Sequence, residues 1–143
     1  MARLVQKFGG TSVGDPQRIR AVAERVKRTH DSGDEVAVVV SAMAGVTDRL
    51  CEQVASLSGL ADASEYDAVV ATGEQMSAGL LAIALHDLGV PARSWQGWQL
   101  PVLTDGLHGK ARIAAIDTVG VEACLARREV PVVAGFQGLA PDG

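Results

Sequence analysis

The run of residues 36–40, Val-Ala-Val-Val-Val, constrains the fold more than any other feature of this sequence. A strand that is apolar at every position, and not only at alternate ones, is typical of a parallel sheet covered on both faces. Residues 4–8 are also largely apolar and are followed by Gly9 and Gly10, which permit a tight turn. They predict a second short buried strand that ends at Lys7 or Phe8.

An amphipathic helix is predicted between these two strands. Asp15 can cap its first turn, and Pro16 is tolerated there because its missing N–H would have no partner in that position. The apolar residues that follow, up to a stop near Gly33, recur with helical spacing: Ile19, Val22, Ala23 and Val26. Strand, helix and strand in this order form a βαβ unit, which joins parallel strands.

The pattern continues less clearly through the rest of the chain. Thr47 is predicted to cap a helix that contains Leu50, and a long helical stretch is predicted from about Glu65 to Leu88 with a break at Gly73. Further candidates are strands at 92–95, 100–103 and 130–136 and a short helix at 121–128. This alternation predicts an α/β fold with helices on the faces of a parallel sheet.

Charge and composition argue against several classes of function. The 13 Lys and Arg residues against 17 Asp and Glu give a net charge of −4, which makes nucleic acid a poor partner. The longest apolar run, Ala78–Leu85, is shorter than the roughly 18 residues that span a bilayer, so no membrane partner is expected. Cys51 and Cys124 lie far apart without zinc-ligand spacing, and they favour a reducing, cytoplasmic location.

Ligands of parallel sheets bind at the carboxyl ends of the strands, where residues 7–14 follow the first predicted strand. This segment, Lys-Phe-Gly-Gly-Thr-Ser-Val-Gly, places a cation at a strand end before two glycines and two hydroxyls. Backbone N–H groups of such glycines can approach a phosphate closely. Neither GxxxxGK[ST] nor GxGxxG is present. The alternative is an ordinary strand–turn–helix corner with a solvated Lys7.

Two other segments carry polar groups that could contact a ligand. Ser41 and Thr47 supply hydroxyls after the Val-rich strand, although they could simply end that strand and cap the next helix. Glu74 lies in a largely apolar helical stretch, where an unpaired carboxylate is costly. Its partner could be a structural Lys or Arg, or the ammonium group of a ligand. His108 has no nucleophile at a recognisable spacing, so a catalytic triad is not indicated.

These motifs resemble the N-terminal part of bacterial aspartate kinases, which belong to the amino-acid-kinase fold. The segments that carry the resemblance run in family order: 5–13, 38–43, 72–75, 104–105 with 108–113, and 132–138. The resemblance implies a three-layer αβα sandwich of the amino-acid-kinase, carbamate-kinase-like type. Residues 1–143 would be only its N-terminal lobe, without the nucleotide-binding C-terminal half or the ACT domains.

The resemblance also implies a reaction. The γ-phosphoryl group of MgATP would pass to the β-carboxylate of L-aspartate and give 4-phospho-L-aspartate, the first step towards lysine, threonine and methionine. Lys7 would neutralise charge on the transferring group, and Gly9, Gly10 and Ser12 would hold phosphate oxygens. ATP and Mg²⁺ are therefore the expected cofactors, with no metal ligand expected within this chain.

For the substrate L-aspartate, the resemblance implies that Glu74 binds the α-ammonium group. Thr47 and Ser41 would hydrogen-bond the substrate near its reacting end. No covalent enzyme intermediate is needed, because the substrate carboxylate is itself the nucleophile. The full-length protein is expected to be a homo-oligomer.

The sequence departs from the family where it stops, at Gly143. Family members continue into a GRGGSD segment, which supplies an arginine for the substrate α-carboxylate and a catalytic aspartate. The 143-residue chain alone is therefore expected to be inactive. Two alternatives remain: a non-catalytic module of the same fold for anion binding or subunit association, and a kinase of the same fold that acts on glutamate or a carbamate.

Overall fold

A computed structural model describes all 143 residues of the chain. Its strands are β1 (Arg3–Phe8), β2 (Glu35–Val40), β3 (Ala92–Trp95), β4 (Val102–Thr104), β5 (Ile113–Ile116) and β6 (Val130–Ala134). Its helices are α1 (Pro16–Asp31), α2 (Val46–Leu57), α3 (Ala63–Val70), α4 (Thr72–Asp87) and α5 (Val119–Ala126). Four strands form a parallel sheet in the order β1-β2-β6-β3, and β4 and β5 form a separate antiparallel pair.

The Val-rich run forms β2 and is covered on both faces, as predicted. Val36, Val38 and Val40 are at most 1% exposed and pack with residues of α1 and α4 in the larger hydrophobic cluster. On the opposite face, Val133 of β6 packs against a smaller cluster that includes Trp95 and Cys124 of α5. Burial of each large aliphatic side chain contributes about 1.5–3 kcal/mol, so these two faces hold the three layers together.

The first βαβ unit forms at the predicted positions, but the prediction that its first strand is buried was wrong: β1 lies at the edge of the sheet, and Leu4 and Val5 are 38% and 71% exposed. β1 ends at Phe8, and α1 begins at Pro16 with the Asp15 carboxylate accepting a hydrogen bond from the Arg18 N–H at 2.8 Å. β1 and β2 pair in parallel from Arg3 opposite Glu35 onwards. Both strands therefore end at the same edge of the sheet.

Two predictions about the helices were wrong, and one strand was missed. Thr47 does not cap α2: Gly45, with φ +76°, is the N-cap residue, and Thr47 lies within the first turn. The long helical stretch divides at Ala71, and Gly73 is helical. A Cβ on Gly73 would lie 2.9 Å from the Cβ of Ala42, so this glycine provides clearance for close packing and does not break the helix. The exposed strand β5 was not predicted.

The stretch Ala63–Asp87 is long and apolar enough to cross a membrane if length and composition alone are considered. This is weak evidence, because the core helix of a globular fold has the same character. Within this stretch α4 buries Leu81 and Leu85 completely against the sheet. The position of α4 is therefore that of a core helix.

Arg128, in the turn before β6, forms hydrogen bonds that link this turn to the end of α1. Its guanidinium donates hydrogen bonds to the carbonyls of Gly33 at 2.7 Å and His30 at 2.8 Å, although its φ of +59° is unfavourable for a residue with a side chain. We expect Arg128→Ala to lower the free energy of unfolding by about 1–2 kcal/mol, and Arg128→Gly by less, because glycine adopts this φ without strain. Urea denaturation measures both changes.

Arg127→Ala is the control for Arg128, since Arg127 only pairs with Glu129 at the surface, at 2.9 Å. Such pairs contribute little, so this variant should stay within about 0.5 kcal/mol of wild type. Equal effects of Arg127→Ala and Arg128→Ala would contradict the role assigned to Arg128.

Candidate functional site

Three strand ends and the start of one helix meet at the carboxyl edge of the parallel sheet. The Ser41 N–H donates to the Phe8 carbonyl at 3.0 Å, which joins the ends of β1 and β2. The Gly135 N–H donates to the Val40 carbonyl at 2.8 Å, which joins the ends of β2 and β6. The loops that leave these strands are therefore fixed to one another by backbone hydrogen bonds.

The loop after β1 is a tight glycine turn. The Ser12 N–H donates to the Gly9 carbonyl at 2.9 Å, and the Ala44 N–H donates to the Gly10 carbonyl at 3.1 Å. A Cβ on Gly10 would lie 2.8 Å from the carbonyl oxygen of Ala42, closer than real Cβ atoms approach. Gly10 is thus required for the contact between this loop and the loop after β2.

The side chain of Lys7 lies beside this turn. Its Nζ is 3.6 Å from the position that a Cβ on Gly9 would occupy, and the residue is exposed. Lys7 takes part in none of the ion pairs of the chain. A cation without an internal partner, next to glycine N–H groups and the exposed Ser12, is suited to bind an anion.

Positive charge extends from this turn along α1. An open groove of about 430 Å³ lies between the end of β1 and α1, and its lining includes Ser12, Arg18 and Arg25. The Arg25 guanidinium lies 5.9 Å from the centre of the Phe8 ring, and Arg18 donates to the Thr11 carbonyl at 2.6 Å. These contacts hold both arginines beside the glycine turn, where they add to the potential that attracts an anion.

Glu74 is the buried carboxylate of this edge. It is 6% exposed, and its Oε1 accepts a hydrogen bond from the Ala42 N–H at 3.1 Å. Its Oε2 is buried and has no hydrogen-bond partner in the chain. Burial raises the pKa of Glu74, and the Ala42 N–H bond opposes that rise. No Lys or Arg pairs with it, so the free oxygen fits a donor supplied by a ligand.

Ser41 and Thr47 flank the loop that Glu74 contacts. Ser41 directly follows β2 and is half-buried, and Thr47 is half-buried in the first turn of α2. Ala42, between them, donates to Glu74 and lies against Gly10. The structure therefore brings the predicted residues of the glycine turn, the β2 loop and α4 to one edge.

The loop after β6 joins the same edge through contacts that the sequence did not reveal. A Cβ on Gly135 would lie 2.9 Å from the Val40 carbonyl oxygen, and Phe136 adopts φ +48° with an exposed ring. The Gln137 amide Nε2 donates to the Ala71 carbonyl at 3.2 Å. The only sequence signal for this contact is a polar residue between Phe136 and Gly138, and it does not indicate a partner 66 positions away.

His108 lies outside this edge. Its Nδ1 is 2.8 Å from an Asp67 carboxylate oxygen, at a half-exposed position between the β4–β5 loop and α3. No group of three or more His, Cys, Asp or Glu side chains in the chain could hold a metal ion. The interpretation of the His108 segment as a polar loop is confirmed.

A glycine turn and a lysine without an ion-pair partner, at the carboxyl edge of a parallel sheet, form the arrangement with which α/β proteins bind anionic ligands at strand ends. A buried carboxylate whose second oxygen has no hydrogen-bond partner lies at the same edge. The chain belongs to the amino acid kinase family, whose sequence profile matches residues 2–143.

Curated aspartate kinases are among the relatives of this chain. Aspartate kinase Ask_LysC of Stutzerimonas stutzeri is 50% identical over 143 residues, and the aspartokinase of Geobacillus stearothermophilus is 46% identical over 143 residues. In both cases the match covers 100% of this chain and 35% of the relative. The chain thus spans about a third of the length of the curated relatives that it matches.

Solved structures show the same fold. The crystal structure of aspartate kinase from Synechocystis has a TM-score of 0.79 and 43% identity, and the match covers 94% of this chain and 22% of that one. E. coli aspartokinase III, in complex with aspartate and ADP, has a TM-score of 0.79 at 22% identity, over 100% of this chain and 42% of that chain, which is evidence of fold alone. The resemblance to the N-terminal part of aspartate kinases and the αβα fold class are confirmed.

Proposed function

We propose that this chain is the part of an aspartate kinase that holds the terminal phosphates of ATP and the α-ammonium group of L-aspartate. The reaction would transfer the γ-phosphoryl group to the β-carboxylate and give 4-phospho-L-aspartate and ADP, the entry to lysine, threonine and methionine synthesis. The aspartate kinases among its relatives support this proposal.

One observation carries the proposal: Ala42 contacts both subsites. Its N–H donates to the buried carboxylate of Glu74. Its carbonyl oxygen lies so close to residue 10 that only a glycine fits there. An ammonium group bound at Glu74 and a phosphate bound at the glycine turn would therefore be held on a single rigid loop. Phosphoryl transfer needs such alignment more than it needs covalent chemistry from the protein.

Within this proposal each residue of the edge has a role. Lys7 neutralises charge on the transferring phosphoryl group, Gly9 and Gly10 hold phosphate oxygens through their N–H groups, and Ser12 holds one through its hydroxyl. The aspartate β-carboxylate attacks directly, so the chain has to orient two substrates and needs no nucleophile of its own.

Ser41 and Thr47 are proposed to hydrogen-bond the substrate near its reacting end. Both are half-buried and lie on either side of Ala42 in the chain, close in sequence to the N–H group that binds Glu74. Hydroxyl donors in that position orient a carboxylate oxygen without competing with it as nucleophiles.

The fit of the expected cofactors differs between ATP and Mg²⁺. The glycine turn suits terminal phosphates because the Lys7 ammonium group, the glycine N–H groups and the exposed Ser12 lie together there. The chain has no cluster of acidic side chains for Mg²⁺. We propose that the nucleotide phosphates bind at this edge, and we name no Mg²⁺ ligand within this chain.

The full-length protein is proposed to be a cytoplasmic homo-oligomer in which further sequence completes the nucleotide site. The two free thiols, Cys51 and Cys124, support a reducing compartment. Sedimentation of the full-length protein measures the oligomeric state, and a monomer at all concentrations would contradict this part of the proposal.

The test of the proposed activity is direct. The full-length protein that contains this chain, given MgATP, L-aspartate and hydroxylamine, should form aspartyl hydroxamate, since hydroxylamine traps acyl phosphates. In separate reactions, L-glutamate or carbamate replaces L-aspartate as the phosphoryl acceptor. Formation of product from either of them, with none from aspartate, would favour another acceptor and overturn the proposal.

Gly10→Ala should weaken nucleotide binding more than it weakens the fold. The added methyl group would lie 2.8 Å from the Ala42 oxygen, so the loop must move away from β2. We expect the KM for ATP to rise at least roughly tenfold, because a displaced turn loses its alignment with the phosphates. Gly59→Ala is the control, as nothing lies within 4 Å of its added methyl. An unchanged KM for ATP in Gly10→Ala would remove this loop from the nucleotide site.

A further inference from the structure

We propose that Gln137 is a positioning residue for aspartate binding, which fixes Glu74 by holding the junction between α3 and α4. This inference rests on the proposed function, in which Glu74 binds the substrate ammonium group. The Gln137 Nε2 donates to the Ala71 carbonyl oxygen at 3.2 Å and to the Phe136 carbonyl at 3.1 Å. It thereby links the loop after β6 to the start of the helix that carries Glu74.

The junction at Ala71 needs such a link. Ala71 is both the C-cap of α3 and the N-cap of α4, and no side chain caps the start of α4. The first hydrogen bond of α4, from the Gln75 N–H to the Ala71 carbonyl, is long at 3.5 Å. The shorter bond from Gln137 is therefore the better of the two contacts that this carbonyl makes.

Gln137 is itself held on two sides. A Cβ on Gly97 would lie 2.7 Å from the Gln137 Cβ, so the loop after β3 leaves no space for the side chain to retreat. On the chain side, Gly135 is bound to β2 through its N–H at 2.8 Å from the Val40 carbonyl. The amide is thus fixed relative to the sheet, and its hydrogen bond to the Ala71 carbonyl fixes the start of α4 as well.

A short path connects Ala71 to the subsite. Gly73, two residues further on, packs so closely against Ala42 that a Cβ added to Gly73 would lie 2.9 Å from the Ala42 Cβ. Glu74 follows and accepts the Ala42 N–H at 3.1 Å. A shift of the α4 start would separate Gly73 from Ala42 and lengthen the Glu74 bond. The glycine turn of residues 9–12 does not lie on this path, so ATP binding should stay unaffected.

The experiment compares two variants that displace the same contact in different ways. Gln137→Met keeps the length of the side chain and removes the donor, and Gly97→Ala places a methyl group against the Gln137 Cβ. In the full-length protein we expect the KM for L-aspartate to rise roughly three- to thirtyfold in both, as one hydrogen bond is lost. The kcat and the KM for ATP should stay within about twofold of wild type.

The matched control is Gln53→Met, the same substitution at an exposed position of α2. It should leave all kinetic constants unchanged. A merely structural role of Gln137 would lower the melting temperature and kcat without raising the KM for aspartate selectively, and that result would overturn the proposal.

A readout independent of turnover separates this inference from the proposed function. The ¹³C signal of the Glu74 carboxyl group can be titrated by NMR in wild type, Gln137→Met and Gly97→Ala. We expect its titration to move towards that of an ordinary glutamate in both variants, because α4 no longer holds the carboxyl group in its buried position. An unchanged titration would overturn the inference even if aspartate is phosphorylated. Failure of wild type to phosphorylate aspartate, with the titration shifted as expected, would overturn the proposed function.

Discussion

Lys7→Ala should lower kcat for aspartate phosphorylation by roughly 10³-fold or more in the full-length protein, with little change in stability. Lys7 lies at the end of β1 with its Nζ beside the glycine turn, and it forms no ion pair within the chain. Its removal breaks no ion pair within the chain, so the free energy of unfolding should change little. The charge that it would neutralise develops on the transferring phosphoryl group, so the loss is expected in turnover.

The control for Lys7 is Lys27→Ala. Lys27 is a partly exposed residue of α1 that pairs with Asp31 at 2.8 Å, 15 residues after Ser12 of the glycine turn. Its loss should change kcat by less than about twofold, because exposed ion pairs contribute little. Kinetics with saturating ATP and aspartate compare the two variants. Normal turnover in Lys7→Ala would remove this residue from the chemistry and with it the proposed site.

The order of the main elements could be predicted from the sequence because the signals are local. The Val-rich run predicts the strand β2, and Asp15 with Pro16 predicts the start of α1; each signal lies within a few residues. Parallel pairing then follows from the βαβ order, and the carboxyl edge follows from parallel pairing. The sequence alone therefore predicts that Lys7 and the glycine turn lie at that edge.

The contacts that make the edge a site could not be predicted, because each joins distant parts of the chain. The sequence identifies Glu74 as a carboxylate that needs a partner, but its bond to the Ala42 N–H spans 32 positions. The sequence predicts a helix break at Gly73, whereas the lack of a side chain at this residue allows α4 to approach the β2 loop. A glycine has the same sequence signature in both roles, and only the neighbour across the fold distinguishes them.

The error at Thr47 has a similar cause. Thr47 is a good N-cap residue by type, but Gly45 adopts φ +76° and begins the helix two residues earlier. The early start places Thr47 inside the first turn of α2, so its hydroxyl is not used as a cap. Because the Thr47 hydroxyl is not needed to cap α2, it remains free for the proposed contact with the substrate.

Glu74→Gln should weaken aspartate binding and at the same time stabilise the fold at neutral pH. The amide keeps an oxygen to accept the Ala42 N–H, and it removes the charge whose second oxygen, Oε2, has no partner. Loss of a buried ion pair with the substrate ammonium group should raise the KM for aspartate by roughly 10²-fold. The KM for ATP should change little, because the glycine turn keeps its contacts.

The stability effect has a definite dependence on pH. Burial raises the pKa of Glu74 in the folded state, so the folded protein binds this proton more readily than the unfolded chain. Wild-type stability therefore falls as pH rises through the interval between the two pKa values, and Glu74→Gln escapes that loss. The variant should melt at a higher temperature than wild type at pH 7, and the difference should shrink as the pH is lowered.

Glu52→Gln tests whether these two effects belong to the Glu74 position. Glu52 is exposed on α2, so its substitution should change neither the KM for aspartate nor the melting temperature appreciably. Thermal melts from pH 4 to pH 8, with and without aspartate, measure both effects for each variant. Suppose that Glu74→Gln raises the melting temperature and leaves the KM for aspartate unchanged. The carboxylate would then destabilise the fold without binding the substrate ammonium group, which would contradict its proposed role. A raised KM with the higher melting temperature would show a carboxylate that is kept at the expense of stability because the substrate needs it.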